Sequence, residues 1–556
     1  MIKDTVKIHC LNTDEEKEVA VGTPLTNLIE LFGVKMPYLI ANAKVNNKTE
    51  SLAYRVYRPK TIEFVDLSNS SAMRTYVRSL CFILAKAVDD LLPNAEMYIE
   101  HAVAKGYYFQ IVSDIPVGKP ELDAIRKRMR EIVEADIAFL QVEEETVKVV
   151  QLFRERGMED KARLLETSDM LYARYSKLEG YIDYFYGCLT PSTGYITMFD
   201  IQPHNGGYLL RVPKRENPVE LEPEVQQDKL LNVYREHMKF LKVSRLDNVG
   251  DLNSAKREDR MSEVIQVAEA YQSKQIGEIA EEITRRFQEG VRVVLISGPS
   301  SSGKTTFRKR LEIQLLVNLL RPVGISLDDY FVDRDKTPLD EHGEKDYESL
   351  YALDLDLFEQ HMLRLMQGEE VELPFYNFVT GKREYRKNFL KMAGNSILIV
   401  EGIHGLNPEL TAHIPPEKIF KVYVSALTTI SLDDHNWIPA SDNRLIRRIV
   451  RDYRYRGYSA EQTISRWDSV RRGEEKWIFP FQENADVMFN SAMIYELAAI
   501  RRHVEPILMQ VPRTAPEYSE AYRLLKFLSY FNYITDRELP PTSLLREFLG
   551  GSSFRY

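Results

Sequence analysis

One stretch of the sequence, residues 291–320, constrains the fold more than any other. It begins with the apolar run VRVVLIS, continues with the glycine-rich turn GPSSSGKTT and ends with the helical pattern FRKRLEIQLLVNLL. A continuous β-branched run is typical of a strand that is buried on both faces in a parallel sheet. Similar runs recur at 323–327, 396–400 and 421–425, with helical patterns between them. We therefore predict an α/β domain whose parallel sheet has helices on both faces.

The glycine-rich turn satisfies the pattern G-x-x-x-x-G-K-[ST] between a strand and a helix. The backbone N–H groups of such a loop point inward around phosphate oxygens, and the helix N-terminus adds its positive dipole end. We expect Lys304 to neutralise the β- and γ-phosphates of ATP and the Thr305 hydroxyl to ligate Mg²⁺. The expected ATP-binding residues are Gly298, Pro299, Ser300, Ser301, Ser302, Gly303, Lys304, Thr305 and Thr306. The alternative is a Gly/Ser turn without a ligand.

Two acidic residues follow neighbouring predicted strands. Asp328 comes after the run at 323–327, and Glu401 comes after the run at 396–400. The carboxyl ends of parallel strands form the ligand crevice of open α/β sheets. There Asp328 fits a base that takes a proton from an attacking hydroxyl, and Glu401 fits a carboxylate near Mg²⁺ or the nucleophile. The alternatives are a turn cap for Asp328 and a satisfied strand-end carboxylate for Glu401.

An arginine-rich helix is predicted over 442–457. Its arginines recur at i, i+3, i+4 and i+7, at Arg444, Arg447, Arg448 and Arg451. A face of guanidiniums near a phosphate site can clamp the transferring group. The alternative is a solvated helix face that is paired with the neighbouring acids Asp442 and Asp452.

Composition limits the remaining classes. A chain of 556 residues corresponds to about three or four domains. Its 74 Lys and Arg against 83 Asp and Glu give a formal charge of −9, so no basic footprint points to tight nucleic-acid binding. The three cysteines form no C-x-x-C pair, which fits a reducing compartment. No signal-peptide h-region and no run of about 20 apolar residues is present, so we expect a cytoplasmic protein without a membrane span.

Residues 291–495 resemble the uridine kinase branch of the phosphoribulokinase/uridine kinase family. The matching blocks occur in order: GPSSSGKTT, SLDDYF, YESLYALD, LPFYNFVTGKR, LIVEGIHGL and the arginine-rich helix. The resemblance implies an ATP- and Mg²⁺-dependent kinase that phosphorylates the 5′-hydroxyl of a nucleoside, uridine or cytidine being favoured. It implies that Asp328 is the catalytic base, that Glu401 is a second acid near Mg²⁺, and that Glu348 binds the ribose hydroxyl. The catalytic set would be Asp328, Lys304, Arg444 and Arg447, with a lid formed by Arg444, Arg447 and Arg448. The substrate-binding set would be Asp328, Tyr330, Glu348, Tyr376, Phe378, Arg383 and Arg448.

One position departs from the family pattern. Uridine kinases carry a histidine that touches the pyrimidine, and the corresponding residue here is Gly381. Loss of a hydrogen-bonding group weakens discrimination between bases. The identity of the base is therefore left open, as is another sugar or a sugar phosphate, for which Lys382, Arg383 and Arg386 offer positive charge.

The first 215 residues resemble the N-terminal half of threonyl-tRNA synthetase. Residues 1–66 are similar to its small, β-grasp-like TGS domain, and 67–215 to its α+β editing domain, through LAKAVDDLLPNAEMYI, GYYFQI and PSTGYI. The paired editing residues of that family fall here on Arg78, Phe82, Phe185 and Leu189. Phenylalanine and leucine neither ligate metals nor transfer protons, so the resemblance implies an editing fold without its catalytic residues. Cys188 and His204 lie nearby out of register, and we expect them to be structural.

These observations predict five segments. They are a TGS-like domain at 1–66, an editing-like domain at 67–215, a helical connector at 216–290, the kinase-like domain at 291–511 and a C-terminal helical extension at 512–556. In the extension, Gly550 and Gly551 with Arg546 either fold back towards the kinase site or close a docking helix. A second hypothesis is an ATPase switch whose N-terminal domains bind RNA or a small ligand. A homo-oligomer is left open.

Overall fold

The N-terminal segment is a mixed sheet crossed by one helix. The computed structural model describes residues 5–340 and 343–555. Five strands lie in the order β2-β1-β7-β4-β5, with β1 and β7 parallel and the other neighbours antiparallel. A two-stranded ladder, β3-β6, lies beside them. The elements are β1 (Thr5–Cys10), β2 (Glu15–Ala20), β3 (Thr23–Pro24), α1 (Leu25–Leu31), β4 (Ile40–Val45), β5 (Lys48–Ser51), β6 (Arg55–Val56) and β7 (Lys60–Asp66).

The second segment combines two antiparallel sheets with a long central helix. The sheet orders are β13-β14-β9-β8 and β10-β11-β12. Helix α2 begins after Asn69, whose side chain accepts the Ser71 N–H, and its apolar residues are buried through most of its length. The elements are α2 (Ser70–Leu91), β8 (Glu96–Val103), β9 (Gly106–Val112), α3 (Lys119–Glu134), β10 (Leu140–Glu145), α4 (Thr146–Glu155), α5 (Glu159–Glu166), β11 (Tyr172–Leu178), β12 (Tyr181–Asp183), β13 (Asp200–His204) and β14 (Gly207–Arg211).

Three helices follow, and they lead into the parallel sheet predicted from the β-branched runs. The helices are α6 (Asp228–Ser244), α7 (Val249–Arg257) and α8 (Met261–Gln288). The sheet has the order β16-β19-β15-β20-β21, and all of its neighbours are parallel. One apolar core lies on each face of this sheet, as expected for a doubly covered α/β layer. The prediction of a mixed α/β chain with a C-terminal parallel-sheet domain is therefore confirmed.

The elements of this domain continue the numbering. They are β15 (Val293–Ser297), α9 (Lys304–Val317), β16 (Arg321–Ser326), α10 (Leu355–Met366), β17 (Val371–Asn377), β18 (Lys382–Leu390), β19 (Ser396–Glu401), β20 (Ile419–Ser425), α11 (Ala440–Arg456), α12 (Ala460–Ser465), α13 (Trp467–Trp477), β21 (Val487–Asn490) and α14 (Glu496–Leu508). The hairpin β17-β18 stands apart from the parallel sheet. Two C-terminal helices complete the chain, α15 (Tyr518–Leu528) and α16 (Arg546–Leu549).

A buried ionic cluster joins the second segment to the parallel-sheet domain. Lys161 Nζ lies 2.9 Å from Asp433 Oδ1 and 3.3 Å from Asp183 Oδ1, and all three side chains are excluded from solvent. His435 Nδ1 lies 2.7 Å from Asp183 Oδ2. Because charges this deeply buried need partners, the cluster fixes the two segments against each other.

Within residues 5–340 and 343–555, no helix combines the length and the apolar character that crossing a membrane would need.

Candidate functional site: a phosphate-binding loop at three strand ends

The loop at 298–303 begins at a glycine whose position leaves no space for a side chain. A Cβ on Gly298 would lie 1.9 Å from the Val424 carbonyl oxygen, so only glycine allows this approach. Gly303 has φ +81° and precedes the first residue of α9, which makes it the left-handed hinge between loop and helix. The hydroxyls of Ser301 and Ser302 are buried and have no hydrogen-bond partner among the described residues. The loop therefore forms a cradle with unused polar groups, as phosphate binding requires.

Lys304 lies at the start of α9 and folds over this loop. Its Nζ donates to the carbonyl oxygens of Gly298 at 2.7 Å and Pro299 at 3.0 Å. Burial lowers the pKa of Lys304, whereas the nearby carboxylates of Glu401 and Asp328 oppose the shift. The lysine is thus placed between the loop and two acids, where it can exchange carbonyl contacts for phosphate oxygens.

The sheet register brings the two predicted acids together. Ser326 on β16 pairs with Glu401 on β19, and Glu401 pairs with Ile296 on β15. Asp328 follows Ser326 in a short 3₁₀ turn, where the Ser326 hydroxyl oxygen accepts its backbone N–H. The loop, Asp328 and Glu401 therefore lie at the carboxyl ends of adjacent strands. Desolvation raises the pKa of Asp328, and Lys304 opposes the shift.

Glu401 has the properties of a metal or water ligand. It is 8% exposed, and its Oε1 lies 3.3 Å from Arg308 Nε. Its Oε2 is buried without a hydrogen-bond partner among the described residues. An orphaned carboxylate oxygen close to Lys304 and Asp328 fits Mg²⁺ coordination by oxygen ligands. In the described part of the chain, no group of three or more His, Cys, Asp and Glu side chains could hold a metal alone.

The structure does not place Arg444 and Arg447 in an open lid. Arg444 forms a buried fork with Glu474 and donates to the Ser300 carbonyl oxygen at 3.1 Å. Arg447 is fully buried, pairs with Glu496 at 2.6 Å and reaches the Ser301 carbonyl oxygen at 3.3 Å. Since both guanidiniums are neutralised by carboxylates, we correct the lid interpretation: these residues hold the loop backbone from behind.

Two other arginines of α11, Arg448 and Arg451, are not held by a buried bidentate carboxylate pair. Arg448 donates to the Ser300 hydroxyl oxygen at 2.8 Å. Burial lowers the pKa of Arg451 to about 10, and Arg451 in turn lowers the pKa of Asp328. Arg451 belongs to the arginine series predicted to clamp the transferring group, although the family resemblance gave it no place in the lid. Arg451 lies near enough to influence the pKa of both Asp328 and Lys304, and Arg456 influences that of Asp328 more strongly.

The aromatic residues near Asp328 differ in part from the expectation. Tyr330 is fully buried in the core, with its hydroxyl 3.2 Å from His361 Nδ1, so its assignment to the substrate pocket is wrong. The next residue, Phe331, has its ring centroid 5.5 Å from that of Tyr376. The Tyr376 and Phe378 rings lie 5.0 Å apart at 77°. This three-ring cluster borders the strand ends because the Asp329 carboxylate accepts the Tyr376 N–H at 3.2 Å.

The space beside Gly381 is filled by Arg334, which comes from a different part of the chain. Gly381 has φ +69°, and a Cβ there would lie 2.7 Å from Arg334 Nε. Arg334 also donates to the Phe378 carbonyl oxygen at 2.5 Å. An arginine therefore lies beside the aromatic cluster, where the family pattern has a histidine. Arg383 is engaged elsewhere, with its guanidinium 2.8 Å from Asp354 Oδ2.

Glu348 packs against Gly473 of α13. A Cβ on Gly473 would approach its Cβ to 2.5 Å, so glycine is required at this contact. Burial raises the pKa of Glu348 to about 7, with a further contribution from Glu474, while Arg448 and Lys304 oppose the rise. A carboxyl that changes charge near neutrality in a cleft is typical of a functional residue.

The C-terminal extension packs directly on the phosphate-binding loop. Leu544, Phe548 and Leu549 are buried in the same core as the parallel sheet. A Cβ on Gly303 would lie 2.5 Å from Leu544 Cδ2, and Glu547 Oε2 accepts the Thr306 hydroxyl at 2.7 Å. The extension docks as a helix and turn that reaches the loop through Leu544 and Glu547, whereas Arg546 donates to the Asp536 and Leu539 carbonyl oxygens within the extension. No local sequence signal indicated this contact, because the partners are about 240 positions apart.

Comparisons with known proteins agree with the loop geometry. Residues 293–497 match the model of the phosphoribulokinase/uridine kinase family. The uridine kinase of Halalkalibacterium halodurans is 30% identical over 198 residues, which are 35% of this chain and 84% of that protein. The threonine–tRNA ligase of Syntrophomonas wolfei is 26% identical over 200 residues, 36% of this chain and 31% of that protein. A solved structure entitled "Structure of a Possible Uridine Kinase from Bacillus stearothermophilus" shows 19% identity over 38% of this chain and 97% of that one, with a TM-score of 0.25.

The chain thus covers most of a bacterial uridine kinase but only about a third of the threonine–tRNA ligase. The kinase match coincides with the parallel sheet and its phosphate-binding loop, whereas the ligase match belongs to the N-terminal region. Through its residues 293–497, the chain belongs to the phosphoribulokinase/uridine kinase family.

Proposed function

We propose that this protein is an ATP-dependent kinase that transfers the γ-phosphate to the 5′-hydroxyl of a nucleoside, with uridine and cytidine as the favoured acceptors. The observation that carries the proposal is the convergence of Lys304, Asp328 and Glu401 on the phosphate-binding loop at adjacent strand ends. A phosphate cradle supplies the donor site, and a carboxylate beside it supplies the base that an alcohol acceptor needs.

The transfer step follows from these positions. The Asp328 carboxylate accepts the proton of the acceptor hydroxyl as its oxygen attacks the γ-phosphorus. The bond between the γ-phosphorus and the bridging oxygen breaks, and ADP leaves. Lys304 and Arg451 compensate the negative charge that spreads over the phosphate oxygens.

Thr305 and Glu401 are the residues that would hold Mg²⁺, which supplies charge neutralisation on the phosphates when bound. Arg444 and Arg447 act on the reaction indirectly, because they fix the Ser300 and Ser301 carbonyl groups of the loop. In this proposal they are positioning residues.

The acceptor would lie between the aromatic cluster and Asp328. Phe331, Tyr376 and Phe378 offer ring faces against which a nucleobase can stack. Glu348 can accept a hydrogen bond from a ribose hydroxyl once it is ionised. Arg334 can donate to a base carbonyl, so the pocket differs from a histidine-based one in its chemistry.

A second candidate acceptor is a sugar phosphate. The exposed Arg334 beside Gly381 favours it, since a guanidinium binds a phosphate dianion with two parallel hydrogen bonds. A panel of nucleosides and sugar phosphates, incubated with ATP and Mg²⁺ and analysed by mass spectrometry, separates the two. A new nucleoside monophosphate supports the first candidate, and a bisphosphate supports the second. ATP consumption without any phosphorylated acceptor would contradict both and favour the switch hypothesis.

A further inference from the structure

A large cavity lies away from the phosphate-binding loop, between the two N-terminal segments and α15. It encloses about 1530 Å³, and none of residues 298–306 lines it. Drug-sized ligand sites in proteins usually enclose about 300–1,000 Å³, so this cavity accommodates an organic molecule rather than only an inorganic ion.

The cavity wall is strongly basic, although the whole chain is acidic. Nine Lys and Arg residues line it against three Glu residues. Lys48 and Arg174 pair with lining acids at 2.8 and 3.1 Å. Arg74 and Arg523 share Glu520, and Arg523 also binds Asp442. These pairs account for only part of the positive charge.

Arg78 is a buried cation of this wall that has no counter-charge within the described part of the chain. Its side chain is only 8% exposed, yet no carboxylate among residues 5–340 and 343–555 lies within ion-pair distance of it. It donates one hydrogen bond, to the Cys188 carbonyl oxygen at 3.0 Å, and lies 5.5 Å from the centroid of the Tyr186 ring. A buried and unpaired guanidinium is costly unless an anion completes it.

The surroundings of Arg78 are shaped to hold this side chain. A Cβ on Gly187 would lie 2.2 Å from Arg78 Cζ, so glycine at 187 makes room for the guanidinium. Arg74 and Arg523 lie close enough to lower the pKa of Arg78 further, after burial as the main cause. Three guanidiniums therefore approach one region of the wall, and aromatic rings of Tyr186 and Tyr522 line the same cavity.

From this arrangement we propose that the cavity is a second ligand site, which binds a nucleotide with its phosphate group on Arg78. A guanidinium fork matches a phosphate group through two parallel hydrogen bonds. Cations already lie over the Tyr186 and Tyr522 rings, so the cavity volume beyond Arg78, rather than a stacking face, holds the rest of the nucleotide. The proposal does not rest on the kinase activity, since binding here needs neither the phosphate-binding loop nor Asp328.

The test is isothermal titration of the full chain with UMP, with uridine as the matched probe that lacks a phosphate. We expect UMP to bind and Arg78→Gln to weaken this binding by about tenfold or more, because charge-assisted hydrogen bonds are lost. Arg78→Lys should retain part of the affinity, because it keeps the charge without the fork. Arg130→Gln, which changes an exposed arginine on α3 outside the cavity, is the control for charge removal. Arg523 is not a clean test residue, because it also binds Asp442 at the start of α11.

Tyr376→Ala distinguishes UMP binding in the cavity from UMP binding at the proposed acceptor site, because Tyr376 lies outside the cavity. We expect the Arg78-dependent binding to survive Tyr376→Ala. Equal UMP affinity in the wild type and Arg78→Gln, with a lowered melting temperature of the variant, would make Arg78 a structural residue and overturn the proposal. Binding of a short single-stranded RNA without binding of UMP would overturn it as well.

Discussion

Glu547 and Thr306 are joined by two hydrogen bonds across the phosphate-binding loop. The Thr306 N–H and hydroxyl both donate to Glu547 Oε2, at 3.3 and 2.7 Å. Thr306 directly follows the G-x-x-x-x-G-K-[ST] motif, so its N–H belongs to the donors that such a loop offers to phosphates. A carboxylate of the chain's own C-terminal helix therefore uses donors that ATP would need.

Removal of the Glu547 carboxylate charge should strengthen ATP binding. We predict that Glu547→Gln tightens ATP binding by about fivefold or more, since a charged hydrogen bond contributes roughly 1.5–3 kcal/mol. The dissociation constant is measured by isothermal titration. The matched control is Glu538→Gln, an exposed glutamate in the same extension. Unchanged or weaker ATP binding in Glu547→Gln would show that the contact does not compete with nucleotide.

The raised pKa of Glu348 predicts a pH-dependent acceptor affinity. Burial raises this pKa to about 7, so the carboxyl is protonated below pH 7 and ionised above it. If the ionised form binds the acceptor hydroxyl, the acceptor KM should fall as pH rises through 7. We expect Glu348→Gln to remove this dependence, and a KM profile from pH 5.5 to 8.5 measures it.

The raised pKa of Glu348 also makes the stability of the folded protein depend on pH. The folded pKa of Glu348 lies above the unfolded value of about 4.5, so its stabilising contribution is present below pH 4.5 and is lost as pH rises through 7. Glu348→Gln should therefore melt at a higher temperature than the wild type at pH 8 and at a similar temperature at pH 4.5. A uniform decrease at both pH values would contradict the raised pKa.

The buried ionic cluster between segments predicts a large loss of stability. Lys161→Ala leaves the carboxylates of Asp183 and Asp433 buried without this cation. Removal of one partner of a buried ion pair typically costs about 3–5 kcal/mol. Thermal melting of the full chain should show a clear decrease, whereas Lys148→Ala, in an exposed pair with Glu145, should change little. Similar melting temperatures for the two variants would mean that the cluster does not hold the segments together.

The two kinds of arginine on α11 should respond differently to lysine substitution. Arg447→Lys loses the fork on Glu496 and the contact with Ser301, so we predict a lower melting temperature together with weaker ATP binding. Arg451 makes only two longer contacts, both at 3.3 Å, with one carboxylate oxygen of its neighbour Asp452. Arg451→Lys should therefore change the melting temperature little while it lowers kcat. Loss of stability in Arg451→Lys, or its absence in Arg447→Lys, would reverse this assignment.

Local signals in the sequence predicted the parallel sheet and the loop, because β-branched runs and the spacing of Gly298, Gly303 and Lys304 act over a few residues. The predicted parallel order of the strands also placed Asp328 and Glu401 at the same edge of the sheet, the carboxyl end of the strands. Side-chain direction after β16 was not predictable, since the chain continues there as a 3₁₀ turn that sends Tyr330 into the core.

Contacts between distant parts of the chain were also outside the reach of local patterns. Arg444 donates to Glu474, which lies thirty positions further along the chain. A series of arginines in the sequence does not show whether their partners are phosphates or carboxylates. Arg78, in contrast to Arg444, has no carboxylate partner among the described residues. The sequence marked it as a departure from the editing residues of the synthetase family, and its burial without a counter-charge emerges only from the packing of three segments.

We propose Asp328 as the base of a nucleoside kinase whose donor site is the phosphate-binding loop. The most direct measurement compares the wild type, Asp328→Asn and Lys304→Ala with ATP, Mg²⁺ and a nucleoside panel, scored by mass spectrometry for monophosphates. We predict that the wild type phosphorylates uridine or cytidine, that Asp328→Asn loses turnover while it still binds ATP, and that Lys304→Ala loses both. Undiminished nucleoside phosphorylation by Asp328→Asn, or no phosphorylated nucleoside from the wild type, would contradict the account.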